Sequence, residues 1–450
     1  MDISVKNNAK ISFISLGCSK NKVNTEEMVY LVREAGYEIV NEDIEADVVV
    51  INSCAFIESA KKESIDTILD VAWLKDNRNL KGIVVTGCMS ERYREEILDA
   101  LPEVDAVIGT GSYHQIVSAI EEVLKGEKYT AFGDKNCSPL SGGRVLSAPE
   151  YSAYLRISEG CNNCCTYCAI PMIRGRFRSR PMEELVEEAK WLEEQGVKEL
   201  NIIAQDTSGY GKDLYGKYAL AELIKKISEA TAIPQIRLLY YYPDKITDEL
   251  IEELKNNERL VKYIDLPIQH ISDRVLKRMN RHGDGQMIRD TVKRLRENVP
   301  GIVIRSTAIV GFPGESEEEF EELCNFIKEA RFDRFGAFTY SREEGTPAYD
   351  FEDQIDEQVK QDRLDILMSI QMEISAELQE ERIGDIVPVL VEGYDPVAEA
   401  CYGRSPEDAP EIDGKVFIIG RKKYKPGSFI KVKITESMDY DLIGEALPGQ

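Results

Sequence analysis

The chain has 450 residues, of which 43% are hydrophobic and 30% are charged, and its formal net charge is −25. No apolar run approaches the roughly 20 residues that a membrane-spanning helix needs, so no membrane segment is predicted. Residues 1–10 lack the apolar stretch of a signal peptide, and we therefore expect a cytoplasmic protein of two or three domains. The acidic charge disfavours binding to polyanions and favours a basic partner.

An apolar run, a turn and a helical segment recur through residues 1–135, which predicts a parallel α/β domain. The runs lie at 11–16, 47–51 and 82–86. A cysteine follows each run, and the spacing of about one strand–helix unit places Cys18, Cys54 and Cys88 at the same edge of the sheet. We expect them to hold an iron–sulfur cluster. The alternative is three small buried residues at strand ends.

Residues 136–149 are rich in Gly, Ser and Pro and predict a linker. A second alternating array follows, with candidate strands at 154–157, 200–204, 235–240, 261–266, 302–310 and 334–339. Helices such as 182–195 and 316–330 separate them, so residues 150–380 are predicted to form a partial parallel (β/α)6 barrel that ends in a long helix. Short runs with frequent Gly and Pro in residues 381–450 predict a small OB-like β-barrel.

The strongest chemical motif directly follows the first barrel strand, where Cys161, Cys165 and Cys168 form C-x3-C-x2-C. Three thiolates hold a 4Fe–4S cubane and leave one iron without a protein ligand. That iron is free to chelate S-adenosylmethionine (SAM), so that an electron breaks a C–S bond of SAM. A zinc site is the alternative, but it normally needs a fourth protein ligand. We therefore predict a radical SAM cluster, with Cys164 as a spare thiol.

Polar side chains follow several barrel strands, at the face where active sites gather. The candidates to contact SAM or substrate are Gln205, Asp206, Tyr240 and Arg305. Arg305 has an alternative role in an ion pair with an acidic neighbour, and His270 has one as a structural histidine. The alternating arginines of residues 174–180 either bind a carboxylate or pair with glutamates of the next helix.

Together these motifs resemble the radical SAM methylthiotransferases over nearly the whole chain. The matching segments are 17–26 (GCSKNKVNTE), 52–54 (NSC), 86–88 (TGC), 158–181 and 311–315 (GFPGE). The resemblance implies an N-terminal methylthiotransferase domain, a radical SAM core and a C-terminal TRAM domain. It also implies that Cys18, Cys54 and Cys88 carry an auxiliary 4Fe–4S cluster, which delivers sulfur while the other cluster generates a 5′-deoxyadenosyl radical from SAM.

Within that family the chain resembles the branch that methylthiolates an aspartate β-carbon of ribosomal protein S12. After Cys18, Ser-Lys-Asn is nearer to the Pro-Lys-Asn of that branch than to the Gln-Met-Asn of the branch acting on adenosine in tRNA, although Ser19 departs from the proline. Residues 169–181 and 408–414 also resemble the S12 branch. The resemblance implies S12 as substrate, together with an electron donor and a sulfur source.

Charge supports a protein substrate independently. Residues 381–450 hold nine Lys or Arg and thirteen Asp or Glu, whereas a surface that neutralises RNA phosphates is basic. Lys422, Lys423 and Lys425 still form a local patch that allows contact with RNA. Two alternatives stay open: methylthiolation of tRNA by the same machinery, and a non-enzymatic iron–sulfur carrier that only transfers electrons.

Overall fold

The computed structural model describes residues 9–147 and 149–449. Residues 1–8, on which most of the signal-peptide prediction depends, lie outside the described residues, as do Ala148 of the predicted linker and Gln450. Within the described ranges, no helix has the length and apolar character needed to cross a membrane. The α/β architecture with a C-terminal β-barrel is confirmed.

The N-terminal unit is a six-stranded parallel sheet with helices on both faces. Its strand order is β2-β1-β3-β4-β5-β6. The strands are β1 (Lys10–Ser15), β2 (Glu38–Ile39), β3 (Val48–Ser53), β4 (Gly82–Gly87), β5 (Ala106–Ile108) and β6 (Tyr129–Ala131). The helices are α1 (Ser19–Glu34), α2 (Glu58–Asn77), α3 (Cys88–Tyr93), α4 (Glu96–Ala100) and α5 (Ile116–Leu124). The three predicted strands are confirmed as β1, β3 and β4, which lie side by side because helices cross between them.

The middle unit is a partial barrel of two parallel three-stranded sheets. Their orders are β11-β10-β7 and β12-β13-β14, and an isolated bridge between Ile236 and Leu260 joins the two halves. The strands are β7 (Ser152–Arg156), β10 (Glu199–Ile203), β11 (Gln235–Leu238), β12 (Tyr263–Asp265), β13 (Val303–Val310) and β14 (Arg334–Thr339), with a small hairpin of β8 (Ser158–Glu159) and β9 (Arg178–Ser179). All six predicted barrel strands are present.

Helices cover the outside of this partial barrel, and the largest apolar cluster of the protein lies between helices and strands. The helices of this unit are α6 (Ile170–Arg174), α7 (Met182–Glu194), α8 (Lys212–Tyr215), α9 (Leu220–Ala230), α10 (Asp248–Asn256), α11 (Asp273–Arg278), α12 (Gly285–Asn298), α13 (Glu317–Ala330) and α14 (Glu357–Glu380). The long helix predicted before the C-terminal unit is α14, which packs against β14 and α13.

The C-terminal unit is a closed five-stranded barrel in the order β15-β16-β17-β19-β18. Its strands are β15 (Ile386–Asp395), β16 (Ala400–Arg404), β17 (Val416–Ile419), β18 (Phe429–Ser437) and β19 (Leu442–Ala446). The apolar runs predict β15, β17 and β18. They miss β16 and β19, whose sequences ACYGR and LIGEA have no long apolar run.

Buried ion pairs join this small barrel to the core. Arg404 at the end of β16 lies 2.6 Å from the carboxylate of Glu199, which also pairs with Arg237 at 3.3 Å. Arg334 pairs with Asp408 at 2.6 Å. Because removing one partner of such a pair leaves an uncompensated buried charge, these contacts fix the loop after β16 against the barrel strands.

These contacts predict an acid-dependent loss of stability. Burial raises the pKa of the Glu199 carboxyl, but Arg404 and Arg237 outweigh it and hold the pKa at about 2. A carboxyl with a depressed pKa stabilises the fold fully above its unfolded value of 4.5, and that contribution disappears as the pH falls towards 2. Glu199→Gln should therefore lower the free energy of unfolding by about 3 kcal/mol at pH 7. It should also weaken the pH dependence of that free energy below pH 4.5.

The measurement is urea unfolding of the metal-free chain at a series of pH values. Glu436→Gln, on the exposed face of β18, is the matched control and should behave as wild type. Equal pH profiles for wild type and Glu199→Gln would contradict this account of the interface.

Candidate active site

The structure brings Cys18, Cys54 and Cys88 to one edge of the N-terminal sheet. Cys18 is the N-cap of α1, Cys54 directly follows β3, and Cys88 begins α3 directly after β4. The thiols influence one another, since burial raises the pKa of Cys54 to about 12 and the Cys88 and Cys18 thiols contribute to that rise. The strand-end arrangement expected from the sequence is therefore present.

Two residues of the segment after β1 shape this edge. Gly17 adopts a φ of 84°, and a Cβ atom there would lie 2.8 Å from Cβ and 2.9 Å from Sγ of Cys54. Only glycine permits both the left-handed backbone and this close approach. Asn21, which is fully buried, donates its side-chain amide to the carbonyls of Leu16 at 2.9 Å and Ser53 at 3.0 Å. It ties the ends of β1 and β3 together.

The second set of thiols lies in the loop between β8 and α6. The Cys161 N–H donates to the Gly175 carbonyl at 3.2 Å, and the Cys168 N–H donates to the Cys165 carbonyl at 3.0 Å. Burial raises the pKa of Cys161 to about 11. Burial and then the Cys165 thiol raise the pKa of Cys168. Cys164 is exposed to solvent on a backbone with a φ of 52°.

Polar contacts from the barrel strands hold this loop. The Asn163 amide donates to Asp206 at 2.8 Å and lies 3.3 Å from Sγ of Cys161. Lys245 donates to the Asn163 side-chain oxygen at 2.8 Å and pairs with Asp206. The Tyr242 hydroxyl lies 2.6 Å from Sγ of Cys165. The loop is thereby fixed to the segments that follow β10 and β11.

The two sets of thiols are neighbours across the interface between the domains. Cys88 packs in a buried cluster with Ala169 and Ile173 of the core. Ala169 directly follows Cys168, the last cysteine of the C-x3-C-x2-C motif. The thiol of Cys88 therefore shares a buried cluster with the residue that directly follows the last cysteine of the motif.

Arg174 connects the same two sites by polar contacts. Its guanidinium is 3% exposed, donates to Asn24 at 2.7 Å and to Asn21, and approaches Sγ of Cys88 to 3.7 Å. On the core side it lies 3.5 Å from the Glu159 carboxylate. A buried guanidinium beside the thiols favours their negatively charged form.

Each of the two sets consists of three thiols, and thiolates are the donors that hold an iron–sulfur cubane. Among residues 9–147 and 149–449, no three Cys, His, Asp or Glu side chains converge as closely as ligands of one ion do. In the metal-free chain burial keeps most of these thiols protonated, so cluster binding would release protons.

Two of the remaining predicted site residues make contacts within the chain. The Gln205 amide donates to Glu159 at 2.6 Å, while its side-chain oxygen is buried without a partner. Arg305 pairs with Asp265 at 2.9 Å and with Asp413 at 3.4 Å. The ion-pair alternative for Arg305 therefore describes this structure, and Gln205 keeps an acceptor for a ligand.

Contacts also decide the roles of His270 and of the alternating arginines. His270 is buried, accepts a hydrogen bond from the Ser272 N–H at 3.0 Å, and lies 3.5 Å from Glu315. These contacts give His270 a structural role.

Among the alternating arginines, Arg180 pairs with Glu188 of α7 at 2.7 Å. The predicted pairing with glutamates of the next helix therefore holds for Arg180. It does not hold for Arg174, whose guanidinium approaches Cys88 instead.

Tyr240 meets a residue that the sequence did not single out. Its ring lies beneath Lys20, with the ammonium 2.9 Å from the ring centroid. Lys20, Asn21 and Asn163 all lie inside the motif segments 17–26 and 158–181. Their positions beside motif cysteines were the available signal, but their contacts to residues far away in the chain are invisible in one sequence.

A partial parallel barrel with a C-x3-C-x2-C loop after its first strand defines a radical SAM enzyme. The model of the Radical SAM superfamily matches residues 155–327. The model of the uncharacterized protein family UPF0004 matches residues 10–109, and the TRAM domain model matches residues 383–447. Membership of the radical SAM superfamily implies a 4Fe–4S cluster and SAM as cofactors.

Similar proteins identify the family. The ribosomal protein uS12 methylthiotransferase RimO of Thermoanaerobacter sp. (strain X514) is 51% identical over 436 residues, which cover 97% of this chain and 99% of the relative. The RimO of Caldanaerobacter subterraneus subsp. tengcongensis is 52% identical with the same coverage. The chain belongs to the RimO family and is a radical SAM methylthiotransferase. This contradicts the alternative of a non-enzymatic electron carrier.

Solved structures show the fold in a distant protein. The radical SAM methyltransferase TsrM from Kitasatospora setae, with cobalamin and a 4Fe–4S cluster bound, superposes with a TM-score of 0.55 at 12% identity. The match covers 84% of this chain and 79% of TsrM. At this identity the likeness concerns the fold alone.

The polar contacts of the cysteine loop predict the effect of Asp206→Asn. The substitution leaves the Lys245 ammonium without its counter-charge, which should lower the free energy of local unfolding by about 3 kcal/mol. We expect faster amide hydrogen exchange at residues 161–168 of the metal-free chain. Asp248→Asn is the control, because its pair with Arg294 is exposed and worth little. Unchanged exchange in the loop of Asp206→Asn would refute the positioning role.

Proposed function

We propose that this chain adds a methylthio group to the β-carbon of an aspartate in ribosomal protein uS12. The RimO relatives, which match it over 97% of its length, are named for that substrate. The observation that carries the proposal is the adjacency of the two thiol sets, because Cys88 lies in one buried cluster with Ala169, the residue after Cys168. A reaction that needs both a radical and a sulfur atom at one carbon requires two such sites side by side.

The ligands follow from this proposal. Cys161, Cys165 and Cys168 hold the radical SAM cluster, and Cys18, Cys54 and Cys88 hold the auxiliary cluster. When bound, the first cluster supplies the electron that cleaves SAM and the second supplies sulfur. Asn163 and Lys245 keep the loop of Cys161, Cys165 and Cys168 in place, and Asn21 ties together the strand ends beside Cys18 and Cys54.

The chain then contributes proximity and orientation. Arg174 joins both sites within one buried contact network, so the substrate carbon meets the radical source and the sulfur without diffusing between them. Gln205 has an unpartnered side-chain oxygen and Tyr240 is partly exposed, and both are proposed to contact SAM or substrate. Asp206 and Arg305 are held in ion pairs with Lys245 and Asp265, and we propose that they orient the residues that make these contacts.

Further parts of the proposal concern organisation and partners. The boundaries are 1–135 for the N-terminal domain, 136–149 for the linker, 150–380 for the core and 381–450 for the TRAM domain, consistent with β6 ending at Ala131 and β15 beginning at Ile386. A sulfur source is required because each product carries away one sulfur atom. An electron donor is required because the cleavage of SAM consumes an electron. A ribosomal substrate favours a cytoplasmic location.

Iron counting tests the two clusters. Anaerobically reconstituted protein should hold about eight irons per chain, as two four-iron clusters. Gly17→Ala should lower this towards about four, because the added methyl group collides with Cys54.

Gly196→Ala is a matched control for that variant. Gly196 has a φ of 94° but nothing within 4 Å of the position that the added methyl group would take, so the variant carries the backbone strain without the collision. It should keep about eight irons. About four irons in the wild-type chain would refute the auxiliary cluster.

The substrate is tested with purified components. Holoenzyme, SAM and a strong reductant are incubated with uS12 or with tRNA, and mass spectrometry detects the added methylthio group. We expect modification of an aspartate in uS12, because the C-terminal domain is acidic and RNA phosphates favour basic surfaces. Modification confined to an adenosine of tRNA would overturn the uS12 assignment in favour of the alternative substrate.

A further inference from the structure

Lys20 is a buried cation between the auxiliary thiols and the barrel. It lies in the first turn of α1, two residues after Cys18, and is 6% exposed. Its ammonium is 2.9 Å from the centroid of the Tyr240 ring. Lys20 therefore joins the helix turn that follows Cys18 to the barrel residue that carries the ring.

The barrel side of this contact is held in an unusual conformation. Tyr240 follows β11 with a φ of 67°, a left-handed backbone that a bulky residue rarely adopts. The Tyr240 N–H donates to Asp265 at 3.0 Å, and its carbonyl accepts from the Thr207 N–H at 2.9 Å. Such strain persists where surrounding structure enforces it, typically at functional sites. Here it presents the ring to the Lys20 ammonium.

Lys20 has no carboxylate partner in the described part of the chain, although the protein contains 81 Asp and Glu residues. Neighbouring cations do have one. Lys22 pairs with Glu411 at 3.4 Å, and Arg305 pairs with Asp265 at 2.9 Å. A buried charge without a counter-charge is costly, so an unpaired one at a site marks a place for an anion.

We propose that the Lys20 ammonium, seated on the Tyr240 ring, binds the carboxylate of the substrate's acidic side chain. This inference rests on the proposed function and names the substrate group that the site recognises. The β-carbon of aspartate is bonded directly to its carboxylate carbon. Holding the carboxylate at Lys20 therefore fixes the reacting carbon between the two sets of thiols.

The auxiliary cluster is the competing anion for Lys20. Arg174 already serves those thiols, since its guanidinium lies 3.7 Å from Sγ of Cys88. The aromatic contact of Lys20 instead belongs to the barrel, on the side of the core that follows β11. An ion pair on an aromatic face, largely removed from water, is stronger than one at the surface.

The test measures binding rather than turnover. Reconstituted holoenzyme, without SAM or reductant, is titrated against fluorescently labelled uS12 carrying either its natural target aspartate or asparagine at that position. Wild type should bind the aspartate form at least about tenfold more tightly. Lys20→Met should bind both forms equally, and Lys20→Arg should keep part of the preference.

Lys22→Met is the matched control, because Lys22 lies one residue beyond Asn21 on the same helix and already has Glu411 as partner. It should retain the wild-type preference. Iron content of each variant is counted in the same preparations. A Lys20→Met chain that keeps about eight irons but loses the preference supports the proposal.

Three outcomes would overturn it. An undiminished preference for aspartate in Lys20→Met shows that another group reads the carboxylate. Loss of about four irons in Lys20→Met shows that Lys20 serves the auxiliary cluster. If wild-type holoenzyme binds neither form of uS12, the proposed substrate is wrong and the inference fails with it, whereas the first two outcomes leave the proposed function intact.

Discussion

The buried guanidinium of Arg174 is the contact on which the arrangement of the two sites depends. It belongs to α6, directly after the cysteine loop of the core, yet it bonds to Asn21 and Asn24 of the N-terminal domain and approaches Cys88. Burying a guanidinium is expensive unless its donors are satisfied, so these partners and Glu159 must stay in register. The two domains are thereby held as one working unit.

The C-terminal barrel adds a third side to this unit. Its loop after β16 enters the open barrel, where Asp408 and Asp413 pair with core arginines and Ala409 joins an apolar cluster with Tyr154 and Tyr263. These acidic residues therefore stabilise the interior and do not add to the surface charge. The surface of this domain is therefore less acidic than its net charge implies, since seven acidic and seven basic residues are exposed among residues 381–449.

The fold was largely predictable because its signals are local. Apolar runs of five or six residues mark the central strands, and a cysteine after each of three adjacent strands predicts their common edge. The strands that escaped prediction, such as β5 and β6, have only three residues each. Such short strands carry too few residues to show a period.

The site was predictable only in part because its supporting contacts join distant segments. The six cysteines could be found from spacing and motif. The ring of Tyr240 under Lys20 joins residues 220 positions apart in sequence, and no periodicity encodes such a pair. The same holds for Arg305, which the sequence made a candidate to bind a ligand. In the structure its guanidinium pairs with Asp413, which belongs to another domain.

Two clusters that sit side by side in one chain are central to the proposed reaction. Electron paramagnetic resonance of the fully reduced holoenzyme tests this directly, because two neighbouring paramagnetic clusters broaden and split each other's signals. We expect a spectrum with magnetic interaction that reduces to one isolated cluster in Cys88→Ala. A wild-type spectrum equal to the simple sum of two independent clusters would contradict the proposed arrangement.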